Sequence, residues 1–240
     1  MQSIAHFDET ISTLRNLTAS HEHVKMASSL GAEDMVLAHI VKAHNLPIQI
    51  FTLDTGRLNP ETYDLLARSK SFGIRVYFPK SDAVEALAMQ FGINGFYDSL
   101  EARKACCAIR KIEPLKRALQ GANAWVTGLR KEQSDGRQNL QLLAHDAATN
   151  LPKCNPLLNW TEKEIWAYLH HHEIPVNSLH AQGYPSIGCA PCTRAIQPGE
   201  HPRAGRWWWE ADTQKECGLH IDPNGKLVRT YQAPKKEITL

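Results

Sequence analysis

HVKMASSLGAEDMVLAHIVKAHNLPIQIFTLD, residues 23–54, decides the fold. It holds a β-rich run (HVKMAS), a turn of Ser and Gly, a helical pattern (AEDMVLAHIVKAH) and a second β-rich run (IQIFTLD). A strand and the next strand joined through a helix is the unit from which parallel sheets are built. The alternation continues with ETYDLLARSKS, IRVYFP and DAVEALAMQFG. The expected fold class is therefore α/β, a parallel sheet flanked by helices.

Outward from that unit, Asn59-Pro60-Glu61 reads as a helix start, with Asn as cap and Pro in the first turn. Residues 124–129 and 139–144 read as further strands. Thr161 and Glu164 make a capping box that opens the helix TEKEIWAYLHHH. Between 183 and 205 the periodicity dissolves into Gly, Pro and charge, the mark of an irregular loop, and two cysteines lie in it. The expected organisation is one domain over 1–220 and a weakly structured tail over 221–240.

The chain has 240 residues, enough to bury a sizeable core, and its 42% hydrophobic and 22% charged residues are those of an ordinary globular protein. No apolar run approaches the ~18 residues of a membrane span, and the N-terminal residues lack the pattern of a signal peptide. No membrane association and a cytoplasmic location are expected. A net charge of +2 argues against nucleic acid as a partner. The basic run from Glu101 to Arg117, six Lys or Arg against two Glu, reads on charge alone as a solvated helix face. Six cysteines in a chain expected in a reducing compartment are not a disulfide framework.

Ligands of an open parallel sheet bind beyond the carboxyl ends of its strands, which directs attention to two loops. In the first, Ser28, Ser29 and Gly31 offer hydroxyls, a flexible backbone and helix N-terminal amides to an anion, or form only a helix cap. It lacks the Lys of a Walker motif. In the second, Asp54-Thr55-Gly56-Arg57, Asp54 could bond a ribose or base edge and Arg57 an anion, or the four could form only a turn.

Cys106 and Cys107 are adjacent on a helical pattern, and Cys189-Ala190-Pro191-Cys192 is a C-x-x-C in the irregular loop. Four thiolates in two close pairs suit Zn²⁺ or an iron-sulfur cluster. The adjacent pair favours the cluster, because neighbouring helical side chains point about 100° apart and reach a bulky cubane better than one small ion. Vicinal core cysteines and a redox-active dithiol are the other readings. Cys217, with Lys215 beside it and His220 close by, has neighbours that could favour a thiolate nucleophile, though a plain surface cysteine often has such company. Cys154 reads as a packed apolar residue, and His170, His171 and His172 as a solvated helix end. Trp207, Trp208 and Trp209 are expected to pack over the cysteine loop or to stack on a nucleotide.

In order, SSLGAED (28–34), LDTGRLNPETY (53–63), CCAIRKIEPLKRAL (106–119), GLRKEQS (128–134), YPSIGCAPCTR (184–194), GRWWWE (205–210) and KECGLH (215–220) closely resemble the assimilatory adenylyl-sulfate (APS) reductases. These belong to the PAPS/APS reductase family. The resemblance implies an adenine-nucleotide α-hydrolase-like fold with a C-terminal irregular segment that carries cluster and catalysis. It implies a [4Fe-4S] cluster on Cys106, Cys107, Cys189 and Cys192, with Cys217 attacking the sulfur of APS. AMP then leaves, and thioredoxin cleaves the S-sulfocysteine to release sulfite, a step of sulfate assimilation toward cysteine biosynthesis. His220 and Lys111 are the other expected catalytic residues. Gly128, Arg130, Arg137, Arg203 and Arg206 join the two loops as expected substrate contacts. Leu30 stands where the family commonly has Ser, which removes one expected hydroxyl contact. The alternatives are reduction of PAPS, or of both nucleotides, and a non-catalytic, zinc-stabilised nucleotide-binding module. A homo-oligomer is compatible with each.

Overall fold

The structure, a computed structural model, describes residues 6–133 and 137–210. Its centre is a six-stranded sheet: β1 (Val24–Ser28), β2 (Ile48–Leu53), β3 (Arg75–Tyr77), β4 (Ala124–Val126), β5 (Leu143–Asp146) and β6 (Leu151–Cys154), in the order β3-β2-β1-β4-β6-β5. Five strands run parallel and β5 pairs antiparallel with β6.

Alternation along the strands sends side chains to two cores. One face carries Val24, Met26, Ile48, Ile50, Val126 and Cys154 into a core closed by α1 (Phe7–Ser20), α2 (Ala32–Ala43) and α7 (Glu162–His171). The other face sets Phe51 and Trp125 against Leu115, Ala118 and Leu119, on and just after α6 (Glu113–Ala118). Cys154 is 1% exposed and packs as expected of an apolar residue. The capping box forms: Thr161 Oγ1 accepts from Glu164 N at 3.2 Å, and Thr161 N donates to the Glu164 carboxylate at 2.8 Å.

Three expectations change. The strand foreseen over 139–144 is Leu143–Asp146, and its partner β6 was not foreseen, because Pro152 argues against a strand interior. Within β6, β4 pairs only with Lys153 and Cys154, so Pro152 interrupts no bond to it. The strand foreseen over 124–129 stops at Val126; beyond it, Thr127 Oγ1 donates to Asn155 Oδ1 at 2.6 Å. Pro60 does open α3 (Pro60–Arg68), but Asn59 makes no side-chain cap and instead donates to the Gly188 carbonyl at 3.2 Å.

α4 (Ser81–Phe91) precedes the basic run. α5 (Leu100–Cys107), capped by Ser99, passes through a π turn at Ala108–Ile112 directly into α6. Pro114 lacks the N–H that an unbroken α-helix would give to the fourth preceding carbonyl and would crowd that carbonyl, so a widened turn just before it relieves both faults.

Candidate active site

A cleft opens at the carboxyl ends of β1, β2 and β4, lined from both foreseen loops and from 128–133, Arg137, 180–189 and 202–207. Ser28, Ser29 and Gly31 line it. Leu30 does not: it holds a left-handed φ of 62° and buries its side chain in the main core. Ser28 Oγ accepts from Leu30 N at 3.1 Å, and Ser29 donates through N and Oγ to Asp34 at 2.6 and 2.8 Å. Burial pushes the Asp34 carboxyl up to about 6, against the opposing effect of its Ser29 and Gly128 hydrogen bonds.

Gly128 faces that carboxylate so closely that a Cβ there would lie 2.4 Å from Asp34 Oδ1 and 3.3 Å from Asp34 N. Gly128→Ala is therefore expected to push the start of α2 out of place and lower stability by about 1–3 kcal/mol, read as a lower urea midpoint. A wild-type midpoint would show that the loop has room to give.

Within the second loop only Thr55 lines the cleft. Asp54 is turned inward, where Oδ1 accepts from Gly56 N at 2.7 Å and from the Tyr63 hydroxyl at 2.9 Å. Gly56 supplies the left-handed φ of 69°. Arg57 points away from the cleft. Its guanidinium lies 5.0 Å from the Phe96 ring centre and donates to Asn94 Oδ1 at 3.1 Å and to the Ile93 carbonyl. Neither Asp54 nor Arg57 is among the residues that line the cleft. Arg130 lines the cleft but is paired with Glu33 at 2.8 Å and Glu132 at 2.9 Å, and it donates to the Trp160 carbonyl.

Positive charge gathers elsewhere on the wall, where Lys111, Arg137, Arg203 and Arg206 all face the cleft. Arg206 is buried, lies 4.8 Å from the Trp207 ring centre and donates to Ser186 Oγ and the Ile187 carbonyl, each at 3.3 Å. Gly188 makes room for it, since a Cβ at 188 would stand 2.4 Å from Arg206 Nη2. Sequence reasoning missed Lys153, which is 1% exposed and lines the cleft with its ammonium 4.8 Å from the Trp125 ring centre. A lysine beside the buried Cys154 on an apolar strand was the signal. It also missed His180, on the cleft wall, and Arg103, which pairs with Glu210 and lies over Trp207.

Cys106, Cys107, Cys189 and Cys192 surround a second, smaller pocket and form no disulfide. The C-x-x-C loop is pinned there by main-chain bonds: Ala190 N donates to the Arg57 carbonyl at 2.8 Å, Trp207 N to the Cys192 carbonyl at 3.2 Å and Arg194 N to the Gly205 carbonyl at 3.0 Å. The Tyr97 hydroxyl adds a bond to the Pro191 carbonyl at 2.7 Å. Burial raises the Cys106 thiol and pushes Cys192 up to about 12, while Arg110 acts on the first, and Lys111 and Arg206 on the second, in the opposite sense. Among the described residues no three His, Cys, Asp or Glu side chains converge where one metal ion could sit. Four soft donors line this pocket, a donor set that suits an iron-sulfur cluster or a zinc ion.

The two pockets share a wall. Lys111, Cys189, Arg206 and Trp207 line both. Trp207 is buried against Cys189 and Cys192 as the packing reading expected, Trp209 packs on Tyr97, and Trp208 is exposed. His170, His171 and His172 lie exposed at the end of α7. Cys217 and His220 lie outside the described residues, as does the tail over 221–240. Among the described residues no helix is long and apolar enough to cross a membrane.

Comparison with known proteins places the chain in a family. Residues 23–195 match the family model described as the phosphoadenosine phosphosulfate reductase domain. The chain is 55% identical over 213 residues to the adenosine 5′-phosphosulfate reductase of Allochromatium vinosum, covering 88% of this chain and 83% of that one. It is 53% identical over 211 residues to the enzyme of the same name from Burkholderia cepacia, covering 87% and 84%. Among solved structures, the phosphoadenylyl-sulfate (PAPS) reductase of Candida auris in a phosphate complex superposes with a TM-score of 0.67 at 25% identity, covering 78% of this chain and 90% of that one. Candida glabrata FMN adenylyltransferase, at a TM-score of 0.55 and 15% identity over 87% of this chain and 75% of that one, shares the fold.

Proposed function

The chain belongs to the phosphoadenosine phosphosulfate reductase family, and on that premise we propose that it reduces adenosine 5′-phosphosulfate (APS) to sulfite and AMP in sulfate assimilation, with thioredoxin as reductant. It is an oxidoreductase acting on sulfur. The observation that carries the reading is the shared wall: a nucleotide-sized cleft and a four-cysteine pocket meet at Lys111, Cys189, Arg206 and Trp207.

The nucleotide lies in the cleft with its phosphosulfate toward Lys111, Arg137, Arg203 and Arg206, where fixed positive charge offsets the anion that a thiolate must approach. Cys217 attacks the sulfur. A bond forms between the two sulfur atoms, the bond from sulfur to the bridging oxygen breaks, and AMP leaves with that electron pair. Because the leaving group is a stable phosphate anion, no strong general acid is needed, and His220 positions or activates Cys217. One thiol of reduced thioredoxin then attacks the Cys217 sulfur and sulfite departs. The second thiol resolves the mixed disulfide, returning Cys217 and leaving thioredoxin oxidised, so two electrons pass from the dithiol.

Cys106, Cys107, Cys189 and Cys192 hold a [4Fe-4S] cluster, which when bound supplies fixed charge next to the cleft and ties the C-x-x-C loop to α5. Lys111 lies between that site and the substrate, in the π turn, with both pockets on its flanks. Lys111→Ala is expected to keep its iron and to slow formation of the sulfonated enzyme roughly 100-fold or more. An unchanged single-turnover rate would remove Lys111 from the reaction. The reading as a whole is tested by sulfite release from APS and from PAPS, assayed side by side with thioredoxin. No sulfite from either would return the chain to a nucleotide-binding module.

A further inference from the structure

His180 belongs to none of the groups that handle the phosphosulfate, yet it lines the cleft. It sits in the short turn Ser178–Gln182, held by Asn177, whose side chain accepts from Leu179 N at 3.0 Å. The ring meets Trp166 edge to face, with centroids 5.3 Å apart. Its Nδ1 lies 2.9 Å from the Tyr184 carbonyl oxygen. A carbonyl only accepts, so Nδ1 carries the proton, and in the neutral ring Nε2 holds a lone pair. Burial favours that neutral ring, and the Tyr184 bond and the charges of Glu33 and Glu162 act the other way.

Nε2 is buried and has no hydrogen-bond partner among the described residues. An acceptor removed from water and left unpaired costs about 1–3 kcal/mol, which a ligand donor would recover. An ionised phosphate or sulfate has only acceptor oxygens and would face this lone pair and the carboxylates of Glu33 and Glu162 unfavourably. The uncharged part of the nucleotide does carry donors, namely the ribose hydroxyls and the 6-amino group of adenine.

We propose that His180 Nε2 accepts a hydrogen bond from an O–H or N–H donor of the adenosine moiety and so seats the nucleoside in the cleft. The inference rests on the cleft being the nucleotide site. It makes His180 a binding residue, distinct from the cationic wall that takes the anion.

The test is calorimetric titration of wild type, His180→Phe and His180→Gln with AMP, 2′-deoxy-AMP, 3′-deoxy-AMP and purine riboside 5′-monophosphate, which lacks the 6-amino group. His180→Phe should weaken AMP roughly tenfold and leave unchanged the affinity for the one analogue that lacks the donor. The identity of that analogue tells hydroxyl from amine. His180→Gln, which keeps an acceptor oxygen, should recover most of the loss. Should His180→Phe fail to fold, His180→Leu, which has no acceptor, is read against the same four ligands. Equal losses for all four ligands, or no loss for any, would overturn the hydrogen bond while leaving the cleft reading standing. Failure of AMP to bind wild type would overturn both.

Discussion

Cys217→Ser is expected to abolish sulfite release, by roughly 10⁴-fold or more, while the variant still binds AMP and keeps its iron. The nucleotide cleft and the cysteine pocket are built from other residues, so loss of one thiol leaves both in place. Every other cysteine already has a place: four around the small pocket, and Cys154 in the core at 1% exposure, with burial pushing its thiol up to about 12. A serine hydroxyl at neutral pH is a far weaker nucleophile than a thiolate. Incubated with APS and no thioredoxin, wild type should gain the mass of one SO₃ on the peptide that holds Cys217. Thioredoxin should then release it as sulfite, and the serine variant should gain nothing. An SO₃ adduct on another cysteine, or rapid sulfite release by Cys217→Ser, would transfer the nucleophile's role elsewhere.

Cys192→Ser should lose iron and activity together. Cys192 lies in the turn Ala190–Cys192, 9% exposed, with Cys189 and Trp207 packed against it. Serine nearly matches cysteine in size, so the loop's main-chain bonds to Arg57 and Trp207 should survive, but a hydroxyl cannot replace the thiolate bond to iron. The expected result is an absorption band near 400 nm reduced to background and at least ~100-fold less activity, with far-ultraviolet circular dichroism like that of wild type. Cys107→Ser should behave in the same way from the α5 side. Full iron content in either variant would sink the ligand assignment, whereas zinc in place of iron in the wild type would favour the non-catalytic module.

Periodicity made the early strands and helices legible, because burial on one face of a strand or helix leaves a local repeat in the sequence. The capping box at Thr161 and the packed Cys154 were legible for the same reason: their partners are neighbours in sequence or simply the core. β6 was not, since Pro152 masks its pattern and pairing with β4, 28 residues away in the chain, decides it. Asp54 and Arg57 show the converse. Their residue types suit ligand contact, and the fold adds what the sequence does not show, bonds from Asp54 to Gly56 and Tyr63 and from Arg57 to Asn94.

The chemistry divides along the same line. The four-cysteine set, the basic candidates and the Cys217 motif all stand in the sequence, because residue type and spacing are properties of the chain alone. That Lys111 and Arg206, nearly a hundred residues apart, border both the nucleotide cleft and the cysteine pocket is decided only when the 183–205 loop closes on the π turn after α5. So is the nitrogen of His180 that has no partner among the described residues, since that depends on which groups from distant segments reach it. Local signals fix what a residue can do; the long-range contacts that spend or spare its hydrogen-bonding capacity fix what it does.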